Sequence, residues 1–250
     1  MKTVALFNIK GGVGKTTSAV NIAHAAGQAG MRTLLWDLDP QGCAGWYLGI
    51  DDQDLAQRAA KMIEGKLPTQ ALVMPTAHAN VSVVPADLSM RKLDVLLEDQ
   101  KAGKTYFKAL LKPLADQFDL VILDCAPALS RAAELVFNAA DLVLVPLIPS
   151  PLSLRAYEQL KEFTAQKKYS DLKVVPFFTQ VDRRRKLQNE VLEQRKKNYP
   201  EMLKTYVPYA SALEQMGTHR APIAQFAASS AGGLAYAVLW GEIKRLLKNP

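Results

Sequence analysis

The 250-residue chain is 49 % hydrophobic and 22 % charged, the make-up of a soluble globular protein with enough length for the core of one α/β domain. The N-terminus turns polar too early for a signal peptide, and no apolar run reaches the roughly 18 residues of a membrane span. Two isolated cysteines, Cys43 and Cys125, suit a reducing cytoplasm better than a disulfide scaffold, while the net charge of +7 hints at a polyanionic partner if it is localised.

Residues 3–8 (TVALFN) form an apolar run of strand formers, followed by a glycine-rich turn. The next segment, TTSAVNIAHAAGQAG, has helical spacing at Ala19, Ile22, Ala23 and Ala26, with Gly27 and Gly30 at its end. Further strands are predicted at 32–39, 81–86, 118–126, 140–149 and 171–181, mostly separated by helical stretches. Apolar strands alternating with helices predict an α/β fold: a mostly parallel twisted sheet with helices on both faces. With no repeat, low-complexity segment or linker, residues 1–250 read as one domain.

Residues 8–17 (NIKGGVGKTT) nearly fit the phosphate-loop pattern G-x-x-x-x-G-K-[ST]. Gly14, Lys15 and Thr16 are in place, but Ile9 stands where the pattern wants glycine, and Lys10 precedes Gly11 and Gly12. A strand, glycine turn and helix in this order put the main-chain N–H groups of Gly11, Gly12, Val13, Gly14, Lys15 and Thr16 around a phosphate at a helix N-terminus, with Thr17 following. Lys15 is expected to reach the β- and γ-phosphates, and the Thr16 hydroxyl to ligate Mg²⁺.

Asp124 ends an apolar strand, as a Mg²⁺-organising aspartate does; it also suits a cap for the next helix. In DLDPQG (37–42), Asp37 and Asp39 alternate at a strand end, and only one of them is expected to face a given side of the site. A carboxylate here positions an attacking water, or the segment is simply an Asp-Pro turn.

Together, KGGVGKTT, DLDPQG and LVILDCAP resemble the ParA/MinD family of deviant phosphate-loop ATPases, and the later VDRRRKL and GLAYAVLWGEI are similar to its ParA-type members. The resemblance implies ATP and Mg²⁺ as cofactors and an ATP-dependent sandwich homodimer. It implies that Lys10 reaches the partner subunit's nucleotide, that Asp39 positions water, and that Asp37 and Asp124 are the magnesium-side carboxylates. It places Gln180 and, in YVPYA, Pro208 at the adenine.

The segment 182–197 holds seven basic and three acidic residues, with Leu187, Val191 and Leu192 as its apolar side and Arg184, Gln188 and Arg195 away from it. His219 and Arg220 form a second basic spot. ParA-type dimers bind DNA nonspecifically through such residues, which implies contacts from Arg183, Arg184, Arg185 and Arg220; the alternative is a solvated helix face. A loop that starts at residue 10 argues against an N-terminal DNA-reading extension. In the amphipathic last helix, Leu234, Val238, Leu239 and Ile243 should pack on the sheet with Glu242 outward, so no membrane contact is expected.

The leading expectation is a cytoplasmic, nucleoid-associated ATPase whose partner, ParB-like or a cargo adaptor, stimulates hydrolysis to segregate or position plasmid, chromosome or protein cargo. The alternatives are a MinD-like membrane-cycling ATPase and a metabolic enzyme on this fold, such as an amidoligase or an iron–sulfur carrier.

Overall fold

The computed structural model describes residues 1–51 and 57–248. Its sheet follows the order β3-β4-β2-β5-β1-β6-β7. The strands are β1 (Lys2–Leu6), β2 (Thr33–Asp37), β3 (Met74–Pro75), β4 (Val81–Val84), β5 (Leu120–Asp124), β6 (Leu142–Leu147) and β7 (Lys173–Phe178). Every pairing is parallel except β3 with β4. The six predicted runs are all present. Only β3 escapes the sequence pattern, because two edge residues, one of them proline, are too few to show alternation.

Alternate residues of each strand feed two separate cores, as a sheet covered on both faces requires. Ala5, Trp36, Leu123 and Val145 join one core with α4 (Leu93–Asp99), α5 (Tyr106–Leu111), α6 (Arg131–Ala139) and α7 (Pro151–Thr164). Val4, Leu6, Leu35, Ile122 and Leu144 join the other, with α1 (Lys15–Gln28) and α11 (Ala231–Lys248). Gly27 allows α1 to approach the sheet closely: a Cβ there would sit 2.6 Å from the Ala79 carbonyl oxygen.

The remaining α-helices among the described residues are α2 (Cys43–Tyr47), α3 (Arg58–Ile63), α8 (Lys186–Asn198), α9 (Ser211–Glu214) and α10 (Met216–His219). Two helix faces differ from expectation. On α8, Leu187 is exposed and Gln188 is buried, where its Oε1 accepts the Asp182 N–H at 2.7 Å. A buried amide with a satisfied partner outcompetes a leucine here because it closes the turn that starts the helix.

On α11, Leu239, Trp240 and Ile243 pack inward, but Leu234 and Val238 are 57 % and 59 % exposed. Glu242 turns toward the protein, accepting hydrogen bonds from the N–H groups of Lys204 and Thr205. Among the described residues, no helix is long and apolar enough to cross a membrane.

Candidate nucleotide site

The loop after β1 is anchored at its start by Asn8. Asn8 is buried; its Nδ2 donates to the Pro146 carbonyl at 2.8 Å, and its Oδ1 accepts the Lys10 N–H at 2.9 Å. Gly12 and Gly14 have φ of 71° and 83°, the left-handed region in which only glycine is unstrained. Gly14 is the N-cap of α1, whose first turn carries no acidic side chain and no side-chain cap. The helix N-terminus therefore keeps its positive potential for an anion.

Lys15 is buried at 7 % exposure, and its Nζ donates to the Lys10 carbonyl at 3.4 Å. Burial lowers its pKa, and the nearby Asp124 and Asp39 carboxylates oppose that fall. Lys10 is held by its main chain on both sides, while its ammonium has no hydrogen bond or ion pair among the described residues.

Asp124 is fully buried, and neither of its oxygens has a hydrogen-bond partner. Burial raises its pKa, while Thr16 and Lys15 lie near enough to pull it back down. It does not cap the next helix: Ser130 caps α6. An orphaned buried carboxylate beside a threonine hydroxyl fits a hard cation held partly through water. Among the described residues, no group of three or more His, Cys, Asp or Glu side chains forms a metal cage, so such a cation would also need phosphate oxygens.

Asp37 is buried too, but its oxygens are engaged: Oδ1 accepts the Asp39 N–H and Oδ2 the Ala44 N–H, both at 2.9 Å. Asp37 thus shapes the turn that presents Asp39. Burial and the neighbouring Asp124 raise its pKa. The expected division of the two carboxylates does not come from strand alternation, which would put residues two apart on one face; it comes from the chain leaving the strand, since β2 stops at Asp37. Asp39 lies in a turn closed by Gly42 N–H to Asp39 carbonyl at 2.9 Å, half-exposed and within electrostatic reach of Lys15 and Asp124.

Gln180 and Pro208 come together beside the loop. With Gly14, Thr17, Tyr47 and Tyr209 they line a cavity of about 230 Å³. The Gln180 Nε2 donates to the Gly12 carbonyl at 2.6 Å, and the Thr179 hydroxyl donates to the Val13 carbonyl at 2.8 Å. Sequence reasoning missed Asn8 and Thr179. Nothing local marks Thr179, which meets the loop across 166 residues.

The basic residues divide. Arg183, Arg184 and Arg185 lie in the exposed turn before α8 rather than on its face. Arg184 forms a two-pronged pair with Asp182 at 2.8 and 2.9 Å, and Arg185 lies 3.6 Å from the same carboxylate. These arginines hold the Asp182 carboxyl down at about 2. Arg183 makes no side-chain pair among the described residues. Arg220 stacks 4.0 Å over Trp46 and donates to the Ile50 carbonyl and to Asp51.

Comparison with known proteins bears on the family and the fold. The AAA domain family matches residues 1–174. The chain is similar to the chromosome partitioning protein ParA of Myxococcus xanthus, with 31 % identity covering 98 % of this chain and 88 % of that one. It is equally similar, at 31 %, to the chromosome-partitioning ATPase Soj of Treponema pallidum, covering 97 % and 96 %. Among solved structures it resembles cobyrinic acid a,c-diamide synthase from Mycobacterium smegmatis with bound ATP analog and magnesium, at 28 % identity, TM-score 0.83, and coverage of 100 % and 96 %. A matched family domain over most of the chain, full-length relatives and the shared fold lead to one conclusion: the chain belongs to the ParA/MinD family of ATPases.

Proposed function

We propose that residues 1–250 act as one ATPase domain that forms an ATP-dependent sandwich dimer, binds DNA without sequence preference and releases it on hydrolysis. A ParB-like protein or cargo adaptor stimulates hydrolysis and links the cycle to plasmid, chromosome or protein cargo. The observation that carries this reading is the pair of lysines. Lys15 is drawn into the loop, while Lys10, five residues earlier, keeps an ammonium with no partner among the described residues of its own chain. A second cation on a phosphate loop suits the nucleotide of another subunit, where it offsets charge on the transferring phosphoryl group.

In this reading Lys15 binds the β- and γ-phosphates, and the main-chain N–H groups of Gly11 to Thr16 wrap them. Thr16 and Asp124 would hold Mg²⁺, with Asp37 behind them; the ion supplies charge neutralisation at the phosphates. Asp39 orients the attacking water. Gln180 and Pro208 border the base.

The test is size-exclusion chromatography with ATP. The parent should dimerise, and Lys10→Ala should bind nucleotide yet stay monomeric. A Lys10→Ala dimer as stable as the parent's would remove the cross-subunit role.

A membrane-cycling reading has one observation in its favour: α11 exposes Leu234 and Val238 and carries Arg245 and Lys248 in its last turn. Sedimentation with ATP against DNA or against anionic liposomes separates the two. ATP turnover that depends on a small carboxylate substrate would instead favour the metabolic reading.

A further inference from the structure

We infer that Thr179 and Gln180 are positioning residues of the phosphate loop, forming a strap that sets the direction of its N–H groups. This inference rests on the reading of that loop as a phosphate site. The two side chains donate to consecutive carbonyls, Thr179 to Val13 at 2.8 Å and Gln180 to Gly12 at 2.6 Å. In a planar trans peptide, the carbonyl and the following N–H point in opposite directions. Holding the Gly12 and Val13 carbonyls therefore aims the Val13 and Gly14 N–H groups away from the strap. Those are two of the donors that a phosphate needs.

The strap is itself rooted in the sheet. The Thr179 N–H donates to the Leu147 carbonyl at 2.8 Å, continuing the ladder beyond β7. The Val181 N–H donates to the Val207 carbonyl at 3.1 Å, and the Tyr209 N–H to the Val181 carbonyl at 3.0 Å. Between these anchors Gln180 has φ of 52°, a conformation that residues other than glycine rarely adopt. A backbone held this way on both sides, ending in an amide on the loop, has the form of an over-determined site.

Gln180 also borders the base cavity, so a base-reading role is the competing account. One N–H of its amide is engaged by the Gly12 carbonyl, while its second N–H and its Oε1 carry no bond among the described residues, so ligand preference is what separates the two roles. A residue that reads the base changes the preference between ATP and GTP. A residue that sets the loop changes affinity for any phosphate chain, with or without a base.

The experiment measures dissociation constants for ATP, GTP and inorganic tripolyphosphate, each with magnesium, by competition against a fluorescent ATP analogue. The proteins are the parent, Thr179→Val, Thr179→Ser and Gln180→Leu, with thermal melts to establish folding. Thr179→Val and Gln180→Leu should each weaken all three ligands by a common factor, about tenfold for removal of one oriented hydrogen bond. Thr179→Ser, which keeps the hydroxyl, should bind like the parent. If Gln180→Leu leaves tripolyphosphate unaffected and alters only the ATP-to-GTP ratio, the strap role of Gln180 is overturned. If both variants bind tripolyphosphate as the parent does, the whole inference falls while the phosphate site stands. A parent that binds neither ATP nor tripolyphosphate overturns the functional reading, and the inference with it.

Discussion

Asp37 and Asp124 are register partners at the carboxyl ends of the adjacent parallel strands β2 and β5, and both are buried, yet of their two carboxylates only that of Asp37 has hydrogen-bond partners. Two carboxyls in one dry place cannot both ionise cheaply without a cation. The site is built at a cost to the empty protein, and that cost has a measurable signature.

Asp124→Asn should raise the melting temperature of the nucleotide-free protein while weakening Mg²⁺-dependent nucleotide binding. Burial raises the folded-state pKa of Asp124, so its protonated form is favoured by folding. Its stabilising effect is full below the unfolded value near pH 4 and is lost as pH rises through the raised value. The variant's advantage should thus be absent near pH 4 and greatest by about pH 8, with each kcal/mol worth about 2–4 °C. Melting curves of both proteins across pH decide it. An equal or lower melting temperature for the variant at high pH would mean that Asp124 carries no such burden.

Asp39→Ala should bind ATP and dimerise but hydrolyse slowly. In the present turn its side chain accepts one hydrogen bond, from the Gln41 N–H at 3.0 Å, so its removal leaves the Asp37-centred anchor in place. Removing a water-positioning carboxylate costs on the order of 10²–10⁴ in rate. Phosphate release under single turnover measures this, and parent-like turnover assigns the role elsewhere.

The arginine turn should not respond uniformly. Asp182 already neutralises Arg184 and partly Arg185, whereas Arg183 has no such partner among the described residues. Arg183→Glu should therefore weaken DNA binding most, and Asp182→Ala should strengthen it by releasing two guanidinium groups. Removing one phosphate-neutralising cation from the interface makes the salt slope shallower by about 0.9. Binding isotherms at several salt concentrations test this ranking. Unchanged affinity and slope in all the variants would remove DNA from this surface.

Arg220→Ala should lower stability by roughly 1–2 kcal/mol, because its guanidinium clamps α10 to α2 through Trp46, Ile50 and Asp51. Arg220→Lys should restore little, since an ammonium can neither stack flat nor fork. Urea titration is the measurement. Unchanged stability with abolished DNA binding would make Arg220 a direct DNA contact instead.

Much of this protein was legible in one dimension. The strand, glycine turn and helix that form the phosphate loop are adjacent in the chain, and their dihedral demands are met by Gly12 and Gly14 themselves. The six long apolar runs became strands because a strand buried on both faces needs no partner to be recognised. Asp124 could be placed at a strand end for the same reason.

Only the tertiary structure decided which faces and partners these elements took. In α11, Leu234 and Val238 are as apolar as Leu239 and Ile243, so helical periodicity offers two faces and selects neither. Gly232 and Gly233 settle the matter. A Cβ at Gly232 would lie 2.9 Å from Ile223 Cδ1 and 3.1 Å from Leu213 Cγ, so the glycine side is the one pressed inward, followed by Tyr236, Leu239, Trp240 and Ile243. The same limit hid the strap. Thr179 and Gln180 meet Val13 and Gly12 across 166 and 168 residues, and a hydrogen bond between groups so distant leaves no periodic trace in the sequence. Local chain geometry is written in neighbouring residues, whereas the pairing of distant side chains follows only from how the sheet brings its strand ends together.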